Sequence, residues 1–142
     1  KLNRAKLNGA LFVGANLRWA QLIIAELRGA DFSRARAHNA IFNDSKMAGA
    51  VIRRADFAFA QLFDVDLSGA DLTGSRFPEA ALEGANLTGA TLVGTDLHGA
   101  LLDWADFTDA NLSRARITEG ALAEAILCRT VMPDGHTENG GC

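Results

Sequence analysis

Apolar residues recur at every fifth position of the chain, from Leu2 to Met132, without a break in register. The 27 positions of that series hold only Leu, Phe, Ile, Met or Ala. A small residue lies two places before nearly every one of them, as Ala5 precedes Leu7. A period of five matches neither the 3.6 residues of an α-helical turn nor the two of a flat strand. The pattern therefore predicts a chain that turns a corner every few residues.

The repeating unit reads Ala, then Asp or Asn, then Leu or Phe, then a variable residue and often Gly. Clear copies are Ala15–Leu17, Ala70–Gly74 and Ala85–Gly89. Ten of the 14 glycines fall at one position of the five, where a tight corner favours a residue without a Cβ. These units resemble the pentapeptide-repeat family, whose motif is A(D/N)LxX, and about 26 tandem units match over residues 1–132.

The resemblance implies an all-β fold, a right-handed quadrilateral β-helix in which four pentapeptides make one coil. About 6.5 coils would stack at a strand spacing near 4.8 Å. In that geometry the central Leu or Phe fills the bore, Ala takes the second inward position, and backbone groups pair between coils. We expect residues 1–132 to form this β-helix and residues 133–142 to form a C-terminal capping tail.

Two residues depart from the size pattern of the bore. Ala37 is the one undersized central residue, and it predicts a gap that costs about 1–3 kcal/mol unless its neighbours close it. Val65 is oversized for a small-residue position.

The chain has only two cysteines, Cys128 and Cys142, and both lie near its C-terminus. A pair confined to a terminal cap favours a disulfide in an oxidising compartment, with two free thiols as the alternative. The Pro133–Gly135 run predicts a turn, and this tail resembles the C-terminal cap of many bacterial pentapeptide-repeat proteins. We therefore expect an exported protein, in the periplasm, the thylakoid lumen or the medium, rather than a cytoplasmic one. Lys1 is already in register with the repeat, which favours a processed or trimmed chain.

Charge is distributed unevenly along the chain. Residues 1–54 hold ten Lys or Arg against three Asp or Glu, giving +7, whereas residues 55–113 hold one against ten, giving −9. Residues 114–142 hold three against four, and the net charge of the whole chain is −3. The predicted rod is therefore electrically polar from one end to the other.

Catalytic and cofactor motifs are missing from the sequence. His38, His98 and His136 have no Cys or His neighbour at metal-ligand spacing, and no nucleophile elbow or phosphate-binding loop occurs. We expect a protein that is not an enzyme and that binds neither a metal nor a cofactor. No stretch approaches the roughly 20 apolar residues that span a bilayer, so we expect no membrane insertion.

Outward positions of the predicted coil carry several large apolar side chains. The predicted interaction surface comprises Trp19, Ile23, Ile24, Ile41, Phe59, Phe63, Leu101 and Trp104. Aromatic and aliphatic residues on the outside of a small protein favour a contact surface, although scattered apolar surface residues are common. A basic patch of Arg34, Arg36, Arg53 and Arg54 is also predicted, as a site for an anion or an acidic partner or as a solvated patch.

We therefore expect a non-catalytic solenoid scaffold that mediates protein–protein interaction, with another protein or a second copy of itself as the partner. The alternative is a DNA-mimic modulator of a type II topoisomerase (gyrase), a role the family resemblance brings with it. Ten acidic residues over about three coils approach the charge density of duplex DNA. Direct nucleic-acid binding is not expected, because aromatic and basic residues do not interleave.

Overall fold

The computed structural model describes residues 1–142 and contains no helix. Parallel bridges join residues that lie 20 apart, from Lys6 with Glu26 to Asn111 with Val131. Because the bridges recur every five residues, one coil takes twenty residues and has four sides. The structure is thus a β-helix-type rod, as the repeat predicts, while the handedness and the number of coils stay predictions.

The coil has four sides, A, B, C and D. Side A comprises residues 1–5, 21–25, 41–45, 61–65, 81–85 and 101–105. Sides B, C and D follow it in the chain, each five residues later. Within one side, the residue two places after the central apolar residue is called the corner residue, because a turn surrounds it.

Regular strands are short. Strand β1 (Asp96–Leu97) pairs in parallel with β2 (Arg116–Ile117), and β3 (Thr130–Val131) pairs antiparallel with β4 (Thr137–Glu138). Elsewhere each side contributes a single bridge, because the backbone stays extended for only a few residues before the next turn.

Hydrogen bonds between coils use three of the five backbone N–H groups in each regular unit. Leu7 N–H donates to Glu26 O at 2.7 Å, and Glu26 N–H donates back to Ala5 O at 2.9 Å. Ala10 N–H donates to Leu7 O at 3.0 Å and closes the turn. The corner residue donates to the next coil, so only the N–H directly after the central residue has no backbone partner.

The Asp or Asn of the motif satisfies that remaining N–H group. Asp31 Oδ1 accepts a hydrogen bond from Ser33 N–H at 2.8 Å, and Asp106 Oδ1 accepts one from Thr108 N–H at 2.8 Å. Nine such bonds span two residues within a unit. The polar motif position is therefore a backbone cap, since Asx side chains readily bond the N–H two residues on.

The bore holds one apolar cluster of 35 buried residues. Val65 is fully buried within it, so the small-residue position accommodates this side chain. Where Thr replaces Ala, its hydroxyl is satisfied: Thr95 Oγ1 donates to Leu72 O, and Thr130 Oγ1 donates to Phe107 O, both at 2.8 Å. Buried polar atoms in the bore thus carry hydrogen bonds, as their burial requires.

The space beside Ala37 is filled by aromatic rings. Ala37 is fully buried, and neither of the two cavities adjoins it. The rings of Phe32, Phe42 and Phe57 lie 5.3–6.2 Å apart, centroid to centroid, around that position. The predicted gap is therefore closed by neighbours, because Phe57 occupies the same column in the next coil.

The coil is irregular between residues 118 and 125, where consecutive turns replace the usual bridge. Trp104 N–H donates to Glu124 O at 3.1 Å, one residue later than the regular offset, and Gly120 has a φ of +80°. The irregularity is local, because Asp106 still bridges Ile126 and Asn111 still bridges Val131 at the offset of twenty. Gly120, in place of the usual Ala, permits the backbone angle that the extra turn requires.

The tail folds back over the last coil. The β3–β4 hairpin turns at Pro133–Gly135, and Gly141 N–H donates to Leu127 O at 2.8 Å. Cys128 and Cys142 are joined by a disulfide, and no cysteine is free. The pairing of β3 with β4 joins residues on both sides of residue 132. The division into a β-helix to residue 132 and a tail from residue 133 stays a prediction.

Replacing Ala37 with Leu should destabilise the rod by about 1–3 kcal/mol, because three Phe rings already fill the space. The free energy of unfolding in urea measures this. Met47→Leu, a volume-conserving change in the same bore, should cost less than about 1.5 kcal/mol. An Ala37→Leu protein as stable as the parent would show that a cavity exists there.

Reducing the disulfide should lower the free energy of unfolding by about 3 kcal/mol, because the closed loop of about 15 residues no longer restricts the unfolded chain. Chemical unfolding with and without a phosphine reductant measures the loss. The Cys128→Ala/Cys142→Ala variant should match the reduced protein and should not respond to reductant. Equal stability of the oxidised and reduced forms would contradict the prediction.

Candidate interaction surfaces

The predicted apolar surface lies on side A and on the corner that leads into it from side D. Its exposed fractions are 72% for Trp19, 68% for Trp104, 51% for Leu101, 49% for Phe59 and 45% for Ile24. Ile23, Ile41 and Phe63 are partly buried between them. The structure thus brings these eight residues to one part of the rod, and their role in binding stays a prediction.

Side A differs from the other sides in its capping residues. Where the motif has Asp or Asn, this side has Gln21, Ile41, Gln61, Ala81 and Leu101. Two of the freed N–H groups bond across coils instead: Ile23 N–H donates to Asn3 Oδ1 at 3.1 Å, and Phe63 N–H donates to Asn43 Oδ1 at 3.2 Å. The residue at this outward position of side A therefore does not cap a backbone N–H group.

Large apolar residues of this surface occupy corners with a left-handed backbone. The φ angles are 60° at Trp19, 56° at Ile24, 57° at Phe59 and 59° at Trp104. At the equivalent corners side B has Gly9, Gly29, Gly49, Gly69 and Gly89. A bulky or β-branched residue in this region is an outlier, because its Cβ crowds the backbone. The fold thus accepts Gly at these corners, and the apolar surface uses strained residues instead.

His38 lies against Phe59, with ring centroids 5.2 Å apart. The two residues are 21 apart in the sequence, so a coil of twenty residues makes them neighbours. Their contact could therefore be predicted from the sequence. Packing by His38 holds the Phe59 ring in place at the corner.

A cavity of about 390 Å³ opens on side A between three successive coils. It is lined by Phe63, Asp64, Glu83, Gly84 and Trp104. A Cβ at Gly84 would overlap the Asp64 carboxylate, so the absence of a side chain there makes room. Glu83 Oε2 is shielded from solvent and accepts no hydrogen bond. The sequence analysis did not single out Glu83 or Gly84. In the corner column of side A, Gly84 lies between Asp64 and Trp104, and this position could have indicated the space.

The predicted basic patch is divided between two sides. Arg34, Arg53 and Arg54 surround a cavity of about 490 Å³ on side C, whereas Arg36 is exposed on side D. Arg53 Nη2 lies 2.6 Å from Asp71 Oδ2. Part of the positive charge is therefore neutralised within the molecule, which relieves the repulsion expected of stacked arginines.

Arg36 belongs instead to a column of alternating charge on side D. Bridges link it to Asp56, Asp56 to Arg76, Arg76 to Asp96, and Asp96 to Arg116. The last pair forms an ion pair with Arg116 Nη1 3.4 Å from Asp96 Oδ2. Opposite charges at neighbouring rungs stabilise the stacking, so this column has a structural explanation.

Acidic residues of the middle coils do not form one continuous track. Asp56, Asp66, Asp71, Asp96 and Asp106 each accept a hydrogen bond from an N–H of their own unit. These five lie on sides B, C and D, and others lie on side A. Their charge is partly committed to the backbone, and the gyrase alternative stays a prediction.

Ion pairing and hydrogen bonding lower the pKa of several carboxyl groups. Partial burial raises the pKa of Asp71, but Thr73 and the Arg53 guanidinium outweigh it, so that pKa lies below its ordinary value of 3.8. A hydrogen bond from Arg129 likewise lowers the pKa of Asp109. These groups stabilise the folded protein only while they are charged.

Comparison with known proteins assigns the family. The sequence pattern of pentapeptide repeats matches in eight copies, over residues 1–36, 30–69, 66–103 and 96–132. The chain belongs to the pentapeptide repeat family. No curated protein sequence is similar enough to count as a relative.

Several solved pentapeptide repeat structures are similar to this chain. HetL, involved in heterocyst differentiation regulation in the cyanobacterium Nostoc sp. strain PCC 7120, is 28% identical over 96% of this chain and 73% of its own, with a TM-score of 0.37. A trypsin-treated variant of QnrB1, a plasmid-mediated fluoroquinolone resistance protein, is 20% identical over 98% and 79%, with a TM-score of 0.50. A protein of the Arabidopsis thaliana thylakoid lumen is 33% identical over 74% and 66%, with a TM-score of 0.29. At 20% identity, the QnrB1 likeness shows the fold alone.

Two features are missing from the structure. No helix is present that is long and apolar enough to cross a membrane. No three His, Cys, Asp or Glu side chains are grouped in a way that could hold a metal ion.

Acid should destabilise this pentapeptide repeat protein below about pH 4. The pKa of Asp71 is lower in the folded chain than its ordinary value of 3.8, so its stabilisation is complete above that value and is lost as pH falls through the folded pKa. Melting temperature as a function of pH measures the effect. Asp71→Asn keeps a side-chain acceptor for Thr73 and should reduce the slope. Asp44→Asn, at an exposed aspartate without an ion pair, is the matched control, and a larger effect there than at Asp71 would contradict the assignment.

Proposed function

We propose that this protein is a non-catalytic scaffold whose apolar surface, on side A and the adjoining corner, binds a protein partner. The observation that carries the proposal is the placement of Trp19, Ile24, Phe59 and Trp104 at exposed corners with positive φ. Exposed aromatic residues grouped on one part of a small protein are typical of interaction sites.

Backbone strain separates this surface from ordinary scattered apolar residues. A left-handed conformation costs a non-Gly residue roughly 1–2 kcal/mol, and a whole domain is stable by only about 5–15 kcal/mol. Gly at these corners, as on side B, would remove the strain. Polar residues have the same backbone angle on all four sides, but the large apolar residues that have it all belong to this surface. Bulky apolar side chains kept at strained corners support a role outside folding.

The rigidity of the rod supports the same role. Side A is held at every coil by hydrogen bonds to the coils on either side, as for Leu22 N–H to Ile41 O at 2.8 Å. A surface that is already ordered loses little conformational entropy when it binds. The basic and acidic ends would set the orientation of a charged partner, and a second copy of the chain meets that requirement.

Replacing Ile24 and Phe59 together with Gly should abolish partner binding while leaving the rod folded. Gly relieves the strain at both corners, so the free energy of unfolding should be unchanged or higher. Sedimentation velocity measures self-association, and unfolding in urea measures stability. A double variant that associates as the parent does would overturn the proposal.

Site-specific photo-cross-linking in the host tests binding to any other protein. A benzophenone amino acid at Gln61 on side A should give adducts, and these should disappear in the Ile24→Gly/Phe59→Gly background. The same probe at Ser68 on side B is the matched control and should give none. Equal adducts from both sides would mean that the apolar surface has no special role.

A further inference from the structure

We propose that the cavity between Phe63, Asp64, Glu83 and Trp104 binds the guanidinium group of an arginine side chain from the protein partner. This inference rests on the proposed function and adds the chemistry of the group that side A recognises. Cavities of about 300–1,000 Å³ with apolar walls and a few polar groups are typical of binding sites, and this one has about 390 Å³.

Both carboxylates of the cavity lack a cation within the molecule. Asp64 and Glu83 take part in no ion pair. Arg76 is the one basic residue between positions 55 and 113, and it lies on side D. Glu83 Oε2 is shielded from solvent without a hydrogen-bond donor. A shielded acceptor that is left unpaired costs free energy, and rotation of the Glu83 carboxylate toward a donor in the cavity would remove that cost.

Aromatic rings supply the second requirement of a guanidinium site. Phe63 and Trp104 both line the cavity, and their backbones are anchored, since Phe63 N–H bonds Asn43 Oδ1 at 3.2 Å and Trp104 N–H bonds Glu124 O at 3.1 Å. A planar guanidinium stacks on aromatic faces and pairs with carboxylates through its fork of N–H donors. The lining of this cavity provides both kinds of contact.

Gly84 makes room for one of the two carboxylates of the cavity. Asp64, Gly84 and Trp104 are the corner residues of three successive coils, so Asp64 and Trp104 lie two rungs apart, roughly 9.6 Å. The Asp64 carboxylate extends over Gly84, so a guanidinium group held against the Trp104 ring would meet it. Any side chain at position 84 would displace that carboxylate.

A metal ion fits the same residues less well. Hard cations such as Ca²⁺ take six to eight oxygen ligands, whereas this cavity offers two carboxylates and two aromatic rings. The aromatic walls point to an organic cation. Among protein side chains, arginine combines a permanent charge with a planar shape.

Trp104 provides the signal that tests this inference. In a Trp19→Phe background Trp104 is the sole tryptophan, and Phe59 shows that Phe is accepted at that corner column. The probe is a capped Gly-Arg-Gly peptide, titrated at constant ionic strength while Trp104 fluorescence is recorded. We expect a saturable change, and none with the capped citrulline peptide, which has the same shape without the charge.

Two matched variants locate the site. Glu83→Gln should weaken binding of the arginine peptide by about tenfold or more, because a charged acceptor becomes neutral. Glu79→Gln, an exposed carboxylate on side D outside the cavity, should leave the affinity unchanged. Equal binding of the citrulline peptide, equal binding of a lysine peptide, or no effect of Glu83→Gln would each overturn the inference.

Free arginine distinguishes a docked side chain from a small-molecule ligand. Asp64 and Glu83 would repel its carboxylate and attract its α-ammonium group, and the two effects largely offset each other. Free arginine should therefore bind no more tightly than the capped peptide. Tighter binding of free arginine would overturn the assignment to a partner protein. Failure of the titration with cross-links at Gln61 intact would overturn this inference and leave the proposed function standing. Absence of cross-links with the titration intact would overturn the proposed function and the assignment of the arginine to a protein partner, while the cavity would still bind a guanidinium group.

Discussion

The backbone ladder between coils is the constraint on which the rest of this structure depends. In each unit of five residues, one N–H closes the turn, three bond the neighbouring coils, and one remains. Because the last one cannot reach another carbonyl, it needs a side chain or water. The Asp or Asn side chain of the motif accepts a hydrogen bond from this N–H at nine positions. This bond explains why the motif prefers Asp or Asn there, which packing of the apolar residues does not explain.

The same ladder makes packing in the bore a property of neighbouring coils rather than of single units. Ala37 is too small for its position, and Phe57, in the next coil of that column, contributes a ring that reaches both Phe32 and Phe42. A large side chain in one coil thus fills the space beside a small one in the adjacent coil, and the spacing of the coils does not change. Close-packed interiors demand this exchange, since a void forfeits contacts on all its walls.

The sequence predicted which residues share a column, because a period of five and a coil of twenty determine that directly. Phe63 and Trp104 were placed on one side in this way, as were Arg34 and Arg54. It did not predict the turns at residues 118–125, since Gly120 is only a mild departure from Ala in the pattern. The unpaired state of Glu83 Oε2 was also out of reach, because it depends on side-chain rotamers and on the space beside Gly84.

The identity of the corner residues distinguishes positions chosen for folding from positions chosen for function. Every corner has nearly the same left-handed backbone, so folding alone would favour Gly equally on all four sides. Side B follows that preference at five corners, whereas the corners of the apolar surface have Trp, Ile and Phe. The cost of strain is similar at each corner, and polar residues also bear it, as at Arg34 on side C and Asp109 on side B. The corners of the apolar surface differ because their strained side chains are large, apolar and exposed. Strain combined with exposed apolar bulk therefore marks this surface more specifically than exposure alone does.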